Sequence, residues 1–250
     1  MLLSKMLISV NIALLVLVLG AHKPFAQVAT PDEIKALGTK DMNIKEAQVN
    51  YMDDLDLLVF QLFTDGKAGN TVPSARGGLD GAPVLGYVFP TTLSPEDVGF
   101  NKMEGIVALA VTAHPDFDDT PLWDENNNGD YKDDGVIWHT HWVLLGPDKR
   151  VKGGLSVVEL KKEDRSVVLP PTNPGMPMYM DSPGYSVVTD KKALRVLVPA
   201  QRVNHKKQFN YDAVSAYMEV NINDKERPLL GVYEVYGVLS EDLSLPYMVK

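Results

Sequence analysis

Most of this chain consists of short apolar segments, rich in β-branched and aromatic residues, that are separated by glycine, proline, aspartate or asparagine. This composition favours strands, and the separating residues are those that turns require. The segments lack the 3.6-residue apolar period of an amphipathic helix, and the sequence has no repeat at a fixed spacing. Strands without intervening helices favour antiparallel sheets. The predicted strands cover residues 57–63, 83–89, 105–113, 136–145, 185–189, 194–198, 214–222 and 230–239.

The sequence therefore predicts an all-β fold: a single antiparallel β-sandwich or barrel-like domain with long loops, covering residues 27–250. One short N-terminal helix is expected, because Thr30 and Glu33 can form a capping box around Pro31 at the first helical position. Residues 94–97 indicate a further single helical turn. No linker is long or polar enough to divide the chain.

Residues 1–26 have the features of a secretory signal peptide. Lys5 precedes an apolar stretch over residues 6–19, and small residues follow it. The stretch is short for a membrane-spanning helix, so cleavage after Ala21 or Ala26 is expected, with an uncleaved anchor as the alternative. We therefore expect an exported protein, periplasmic or extracellular, that is not attached to the membrane after the signal is removed.

Charge and cysteine content limit the expected partners. The formal net charge of −9 becomes −11 when the signal is removed, because that segment carries Lys5 and Lys23 and no acidic residue. An acidic protein repels nucleic acid and anionic lipid, which makes them unfavourable partners, and it attracts metal ions. The chain has no cysteine. A transition metal would therefore be held by histidine, methionine or carboxylate. The sequence does not indicate a protein partner.

Residues 113–142 hold three of the five histidines and eight carboxylates, with Lys132 as the single basic residue. Carboxylates at this density repel one another unless a cation lies among them. From Asp124 onward, oxygen-bearing side chains alternate and are followed by Gly129, as in the first half of an EF-hand calcium loop. The predicted calcium ligands are Asp124, Asn126, Asn128, Asp130, Asp133 and Asp134.

The second half of this loop departs from the EF-hand pattern. Gly135 occupies the position of the bidentate glutamate, and no helices are predicted on either side. The loop resembles the calcium loops found between strands of exported proteins, and a structural role is expected, since there is no helix pair to open. A solvated acidic turn is the alternative, because aspartate, asparagine and glycine are ordinary turn residues.

A second candidate site lies on the following strand, predicted over residues 136–143. His139 and His141 are two residues apart and share one face of this strand, while Trp138 and Trp142 share the opposite, core-facing one. Two imidazoles on one face can chelate a single ion, copper or zinc. Hydrogen-bonded histidines without a metal are the alternative.

His114 directly follows the preceding predicted strand, residues 105–113. If the two strands pair as a hairpin around the acidic loop, His114 lies near the end of the histidine strand, and Asp116 is a candidate fourth ligand. The predicted transition-metal ligands are His114, Asp116, His139 and His141.

The run His-Thr-His-Trp at residues 139–142 resembles the His-x-His-Trp of α-type carbonic anhydrases, whose zinc is held by three histidines. That resemblance implies a third histidine downstream, but residues 161–165 contain none. The same pair also resembles the His-x-His strand of cupins, with Pro199 and His205 as a loose match to the later histidine. The glutamate of that pattern is absent from residues 143–146.

A proline-rich segment, residues 170–184, is predicted to be irregular and carries Met176, Met178 and Met180 at alternate positions. Thioethers are soft ligands suited to Cu(I), and together with the histidines they resemble the His/Met ligand sets of periplasmic copper carriers. The alternative is that the methionines fill gaps in the core.

These patterns favour an exported, calcium-stabilised metal-binding protein with a His-x-His transition-metal site. The alternatives are a metalloenzyme that uses the same histidines with an open coordination position, and a calcium-braced structural or adhesion module. Haem held by histidine and methionine would require a large apolar cavity. The sequence contains none of the common nucleotide-binding, serine-hydrolase or zinc-protease motifs, and whether the protein is an enzyme stays open.

Overall fold

The computed structural model describes residues 28–120 and 122–250. The predicted signal peptide, residues 1–26, lies outside the described residues. Within the described part of the chain, none of the helices has the length and apolar character needed to cross a membrane.

The described chain is mostly β, with antiparallel sheets and one short α-helix near its start, so the predicted fold class is confirmed. The elements are α1 (Pro31–Ala36), β1 (Ile44–Met52), β2 (Leu57–Thr64), β3 (Pro83–Pro90), β4 (Ile106–Ala113), β5 (His139–Pro147), β6 (Leu155–Val157), β7 (Met180–Asp181), β8 (Val187–Asp190), β9 (Ala193–Pro199), β10 (Asn210–Tyr211), β11 (Val214–Val220), β12 (Leu230–Val238) and β13 (Tyr247–Met248). Single 3-10 turns lie at Lys40–Met42, Pro95–Val98, Asp134–Val136 and Ala200–Val203.

The predicted capping box is present at the start of α1. The backbone amide of Thr30 donates to the Glu33 carboxylate at 2.7 Å, and the amide of Glu33 donates to the Thr30 hydroxyl at 3.3 Å. These two bonds satisfy amide groups that a helix start would otherwise leave unpaired. The single turn predicted at residues 94–97 is also present, as Pro95–Val98.

Six strands form a barrel-like sheet in the order β4-β3-β11-β12-β6-β5, which β4 and β5 close by pairing with each other. The short strand β7 adds to β5. A second, four-stranded sheet has the order β1-β2-β9-β8, and β10 pairs with β13. Closure of the barrel leaves its strands without a free edge along the seam between β4 and β5.

Alternation along the barrel strands divides the apolar side chains into two clusters. Val143 and Leu145 belong to the cluster inside the barrel, whereas Trp142 and Leu144 belong to the layer between the barrel and the four-stranded sheet. In that layer the Phe60 ring of β2 packs edge-on against Trp142, with ring centroids 6.2 Å apart. The inside of the barrel is lined by smaller residues, mainly valine, alanine and methionine.

The start of the histidine strand differs from the prediction. Residues 134–136 form a 3-10 turn, and β5 begins at His139. The turn is closed by the amide of Ile137, which donates to the carbonyl of Asp134 at 2.7 Å. Gly135 allows close packing here, since a Cβ at this position would lie 1.9 Å from the Phe117 carbonyl oxygen.

Candidate metal centre

The predicted hairpin around the acidic loop is present. Strands β4 and β5 pair antiparallel, from Ile106 opposite Leu145 to Thr112 opposite His139. The chain therefore leaves β4 at Ala113 and returns directly beside it. This arrangement brings His114 next to the start of β5.

Both tryptophans of the histidine strand lie in the layer between the barrel and the second sheet, as predicted. His141 occupies the opposite face, and its side chain lines the inside of the barrel together with Val143. Strand alternation gives His139 the same direction as His141. The two imidazoles thus lie at the end of the barrel where β4 terminates.

Four buried side chains meet at this end of the barrel: His114, Asp119, His139 and His141, here called the His3Asp cluster. One nitrogen or oxygen from each lies within 4.8 Å of the others. The Asp119 Oδ1 atom is 3.3 Å from His114 Nε2, 3.1 Å from His139 Nε2 and 3.4 Å from His141 Nε2. None of the four residues is more than 4% exposed.

Backbone carbonyls determine the orientation of two of the rings. His114 Nδ1 lies 2.9 Å from the carbonyl oxygen of Phe117, and His139 Nδ1 lies 2.6 Å from that of Ile137. A carbonyl can only accept, so both Nδ1 atoms must carry the proton. In the neutral ring, Nε2 is then an unprotonated atom with a lone pair directed into the cluster.

Ser182 has the same effect on the third ring. Its hydroxyl donates to the carbonyl of Asp119 at 2.7 Å, and a hydroxyl has only one proton to donate. The His141 Nδ1 atom, 3.0 Å from the same hydroxyl oxygen, must therefore be the donor of that contact. The Nε2 atom of His141 is thus also the unprotonated nitrogen, and three imidazole lone pairs face one carboxylate oxygen.

These groups lack partners of their own. Within the part of the chain that the structure describes, Asp119 Oδ1 and His141 Nε2 are buried without a hydrogen bond. The Nε2 atoms of His114 and His139 lie 2.9 Å apart, a distance at which two lone pairs repel unless a proton or a metal ion lies between them. The Thr112 hydroxyl also lies 3.3 Å from His139 Nε2. A buried acceptor without a donor is costly, so the arrangement favours a bound cation.

The pKa values of the cluster are shifted in different directions. Burial lowers the pKa of His114, which keeps this ring neutral. Burial opposes the charged form of His139 as well, but the Asp119 carboxylate beside it outweighs burial and raises the pKa of this ring. Burial alone would raise the pKa of Asp119; the neighbouring histidines reverse this and hold it well below its usual range. The cluster thus offers an ionised carboxylate and a neutral His114, whereas a divalent ion would have to displace the proton that His139 holds more tightly than a free imidazole does.

The carboxylate of the cluster is Asp119, in the place where the sequence analysis put Asp116. The Asp116 carboxylate instead accepts the backbone amides of Arg76 at 2.8 Å and Gly77 at 2.6 Å. It therefore ties the loop before β3 to the loop after β4. Asp116, Asp118 and Asp119 are close neighbours in the sequence, and only the path of the chain distinguishes them.

His205 lies outside the cluster. It is on the surface, with Nδ1 3.8 Å from an oxygen of Asp56. The cupin-like match to Pro199 and His205 therefore does not supply the third histidine. His114, from the loop after β4, takes that position.

The methionines of the proline-rich segment pack inside the barrel. Met178 and Met180 are buried in the inner apolar cluster, and Met176 is partly buried against it. Met180 belongs to β7, which pairs with β5, so part of the segment predicted as irregular is a short strand. Met176 and Met180 also border a small space beside His114 and His141. Packing accounts for all three positions, and a role as copper ligands stays a prediction.

The acidic loop is folded by contacts to its own backbone. The Asp124 carboxylate accepts the amides of Asn128 at 3.1 Å and Gly129 at 2.8 Å. The buried Asp134 carboxylate accepts the amides of Glu125 at 2.9 Å and Asn126 at 3.2 Å. The side-chain oxygens of Asn126 and Asn128 accept amides two residues ahead, and Asp133 accepts both of their side-chain amides. The predicted calcium ligands thus lie in one loop, residues 124–134, and calcium binding there stays a prediction.

No protein-family model matches this sequence, and comparisons with curated proteins and with solved structures found no match.

Proposed function

We propose that this chain is an exported metal-binding protein whose His3Asp cluster holds one transition-metal ion, copper or zinc. The observation that carries the proposal is the convergence of three imidazole Nε2 atoms on Asp119 Oδ1 at 3.1–3.4 Å. Each ring is oriented by a partner on its other nitrogen, the arrangement that holds metal-binding histidines in place. Imidazole and carboxylate together are ligands that both zinc and copper accept.

A metal-free ion pair explains the geometry less well. If His139 carried the extra proton, it would serve as a donor to Asp119 and to His114. The buried His141 Nε2 would still lack a partner, because Ser182 fixes the proton of that ring on Nδ1. A metal ion satisfies all four side chains at once.

The proposal also covers export and calcium. Residues 1–26 support secretion into the periplasm or the medium, and the alternation of oxygen-bearing side chains from Asp124 to Asp130 supports a calcium ion that stabilises the acidic loop. The mass of the protein purified after secretion tests the first of these. It should correspond to a chain that begins after Ala21 or Ala26, and retention of the whole segment would contradict export by cleavage.

The metal proposal is tested by elemental analysis and by zinc and copper titration of the mature protein. The wild type should bind one ion per chain at the cluster. Asp119→Asn and His141→Ala should each weaken binding by more than the about 10–100-fold that loss of an outer-shell partner costs. Their matched controls, Asp116→Asn and His205→Ala, should bind as tightly as the wild type. Uptake that is absent, or equal in all four variants, would contradict the site.

A further inference from the structure

The inside of the barrel contains an apolar cavity of about 180 Å³. Each of the six barrel strands contributes to its lining. Among the described residues that line it, Thr112 and His141 are the only ones with polar side chains. The lining includes one residue or more from each strand, for example Val88, Ala110, Val143, Val157, Ala216 and Val232.

This cavity runs from the surface to His141, the one residue of the His3Asp cluster that lines it among the described residues. Val235, Ile106 and Leu243 line its outer end, and all three are partly exposed. At its inner end, His141 is 1% exposed. His141 pairs with Ala110, four residues along β4 from Ile106. At about 3.3 Å per residue, and allowing for strand tilt, this places the imidazole roughly 10 Å below the opening.

The size and the lining determine what the cavity can hold. Apolar cavities of about 150 Å³ stay dry and bind molecules such as benzene, so a cavity of this size takes roughly six to eight heavy atoms. Haem is far too large for it. Water is disfavoured along the valine and alanine walls, because it would find too few polar partners there. A single polar group at the inner end, however, would meet Thr112 and His141.

We propose that the barrel binds a small apolar molecule, a short alkyl chain or a single ring, that enters with one polar end group directed at His141. The inference about the end group rests on the proposed metal function, because the polar group would lie beside the ion held by the His3Asp cluster. Binding of the apolar part does not depend on the metal. The two parts can therefore be measured separately.

The first measurement is a calorimetric titration of the metal-free protein with 1-alkanols from butanol to octanol. Burial of each added methylene should tighten binding about fourfold. The increase should stop at the chain length that fills the cavity. Affinities that do not change with chain length would overturn the proposal.

The second measurement locates the binding site. Ala216 lines the cavity and is buried, so Ala216→Leu should reduce 1-hexanol affinity at least tenfold by filling the space. Ala36→Leu makes the same change on the exposed face of α1 and should leave affinity unchanged. Circular dichroism checks that both variants fold, and Ala110→Leu replaces Ala216→Leu if the latter does not. Equal affinity in a folded cavity variant and in the wild type would overturn the proposal.

The third measurement places the polar end. Protein loaded with Co²⁺ should change its visible spectrum when 1-hexanol binds, and Ala216→Leu should remove that change at the same alcohol concentration. Calorimetric binding of 1-hexanol with an unchanged cobalt spectrum would overturn the placement of the end group. Failure of Co²⁺ to bind at all would contradict the proposed metal function, while the metal-free alcohol series would still report on the cavity.

Discussion

At the scale of single residues, Ser182 determines which nitrogen of His141 faces the cluster. Its hydroxyl is held by the Asp119 carbonyl and accepts from His141 Nδ1. In Ser182→Ala the ring loses this acceptor and can place its proton on Nε2, where it would block metal binding. We expect zinc affinity to fall about 10–100-fold, as measured by competition with a chelating dye.

Ser215→Ala is the matched control for this prediction. Ser215 is buried like Ser182, and its hydroxyl donates to the carbonyl of Met42 at 2.6 Å, in the layer outside the barrel. Ser182→Ala loses two buried hydrogen bonds and Ser215→Ala loses one, so the expected losses of stability are about 2 kcal/mol and about 1 kcal/mol. Equal zinc affinities in the two variants would mean that Ser182 does not position His141.

Residue by residue, the sequence predicted the histidines better than the carboxylate. Strand alternation places His139 and His141 on one face whatever the rest of the fold does, and the structure has them there. The choice of Asp119 over Asp116 depends on contacts with Arg76 and Gly77, which are far away in sequence. Neither spacing nor charge could reveal those contacts.

At the scale of elements, the longer strands rich in apolar residues were predictable, whereas β1 and the shortest strands were not. The segment LLVFQLF indicates β2 directly. Strand β1 was missed because Lys45, Glu46 and Gln48 interrupt its apolar residues, and it is a strand through its pairing with β2. The two residues of β7 were missed because they lie in a proline-rich segment and pair only with β5. Such short strands are determined by tertiary pairing rather than by local preference.

The acidic loop carries a prediction about calcium. If calcium binds there, 10 mM Ca²⁺ should raise the free energy of unfolding by about 1.4–2.7 kcal/mol, given the Kd of 0.1–1 mM typical of extracellular modules. Asp124→Ala should abolish this increment. Because the Asp124 carboxylate also accepts two backbone amides, the variant should be less stable without calcium as well. The calcium-dependent increment is therefore the quantity to compare.

Asp164→Ala provides the control for this comparison. Asp164 is an exposed turn residue outside the acidic loop, and its carboxylate accepts from the amide and hydroxyl of Ser166. The Asp164→Ala variant should lose a little stability, and calcium should still raise its free energy of unfolding by the full amount in urea unfolding curves. An increment that persists in Asp124→Ala would show that calcium acts elsewhere.

The turn between β5 and β6 carries a prediction about pH. The Arg150 guanidinium donates to both oxygens of Asp148 and is the main reason that the pKa of this carboxyl is lowered to about 2. A lowered pKa contributes stability above the unfolded value near 3.8, and this contribution is lost as the pH falls towards 2. Asp148→Asn should therefore cost about 1 kcal/mol at pH 6, since Arg150 is 39% exposed and its charge is screened by solvent.

The difference in free energy of unfolding between Asp148→Asn and the wild type should shrink below about pH 4 and vanish near pH 2. Urea unfolding at a series of pH values measures it. Asp53→Asn changes an exposed carboxylate in the turn between β1 and β2 and should have little effect throughout. If Asp148→Asn lowers the free energy of unfolding by the same amount at every pH, the loss comes from the geometry of the introduced amide rather than from the missing charge.

At the scale of the whole molecule, the His3Asp cluster joins parts of the chain that the barrel brings together. His114 and Asp119 lie on the loop that leaves β4, whereas His139 and His141 lie on β5. These are the two strands whose pairing closes the barrel. The chain has no disulfide to hold this seam, because it contains no cysteine. A metal ion bound to all four side chains would cross-link β5 to the loop that leaves β4, at one end of the seam.

Metal binding should therefore stabilise the entire fold. An ion that binds only the native state adds about 2.7 kcal/mol to the free energy of unfolding at 100 times its Kd. We expect zinc at that concentration to shift the urea midpoint of the wild type upward and a chelator to reverse the shift. His205→Ala keeps all four ligands and should show the same shift, whereas His141→Ala should show little or none. If zinc shifts the midpoint of His141→Ala as far as that of the wild type, the ion acts at another site and the barrel seam does not depend on the cluster.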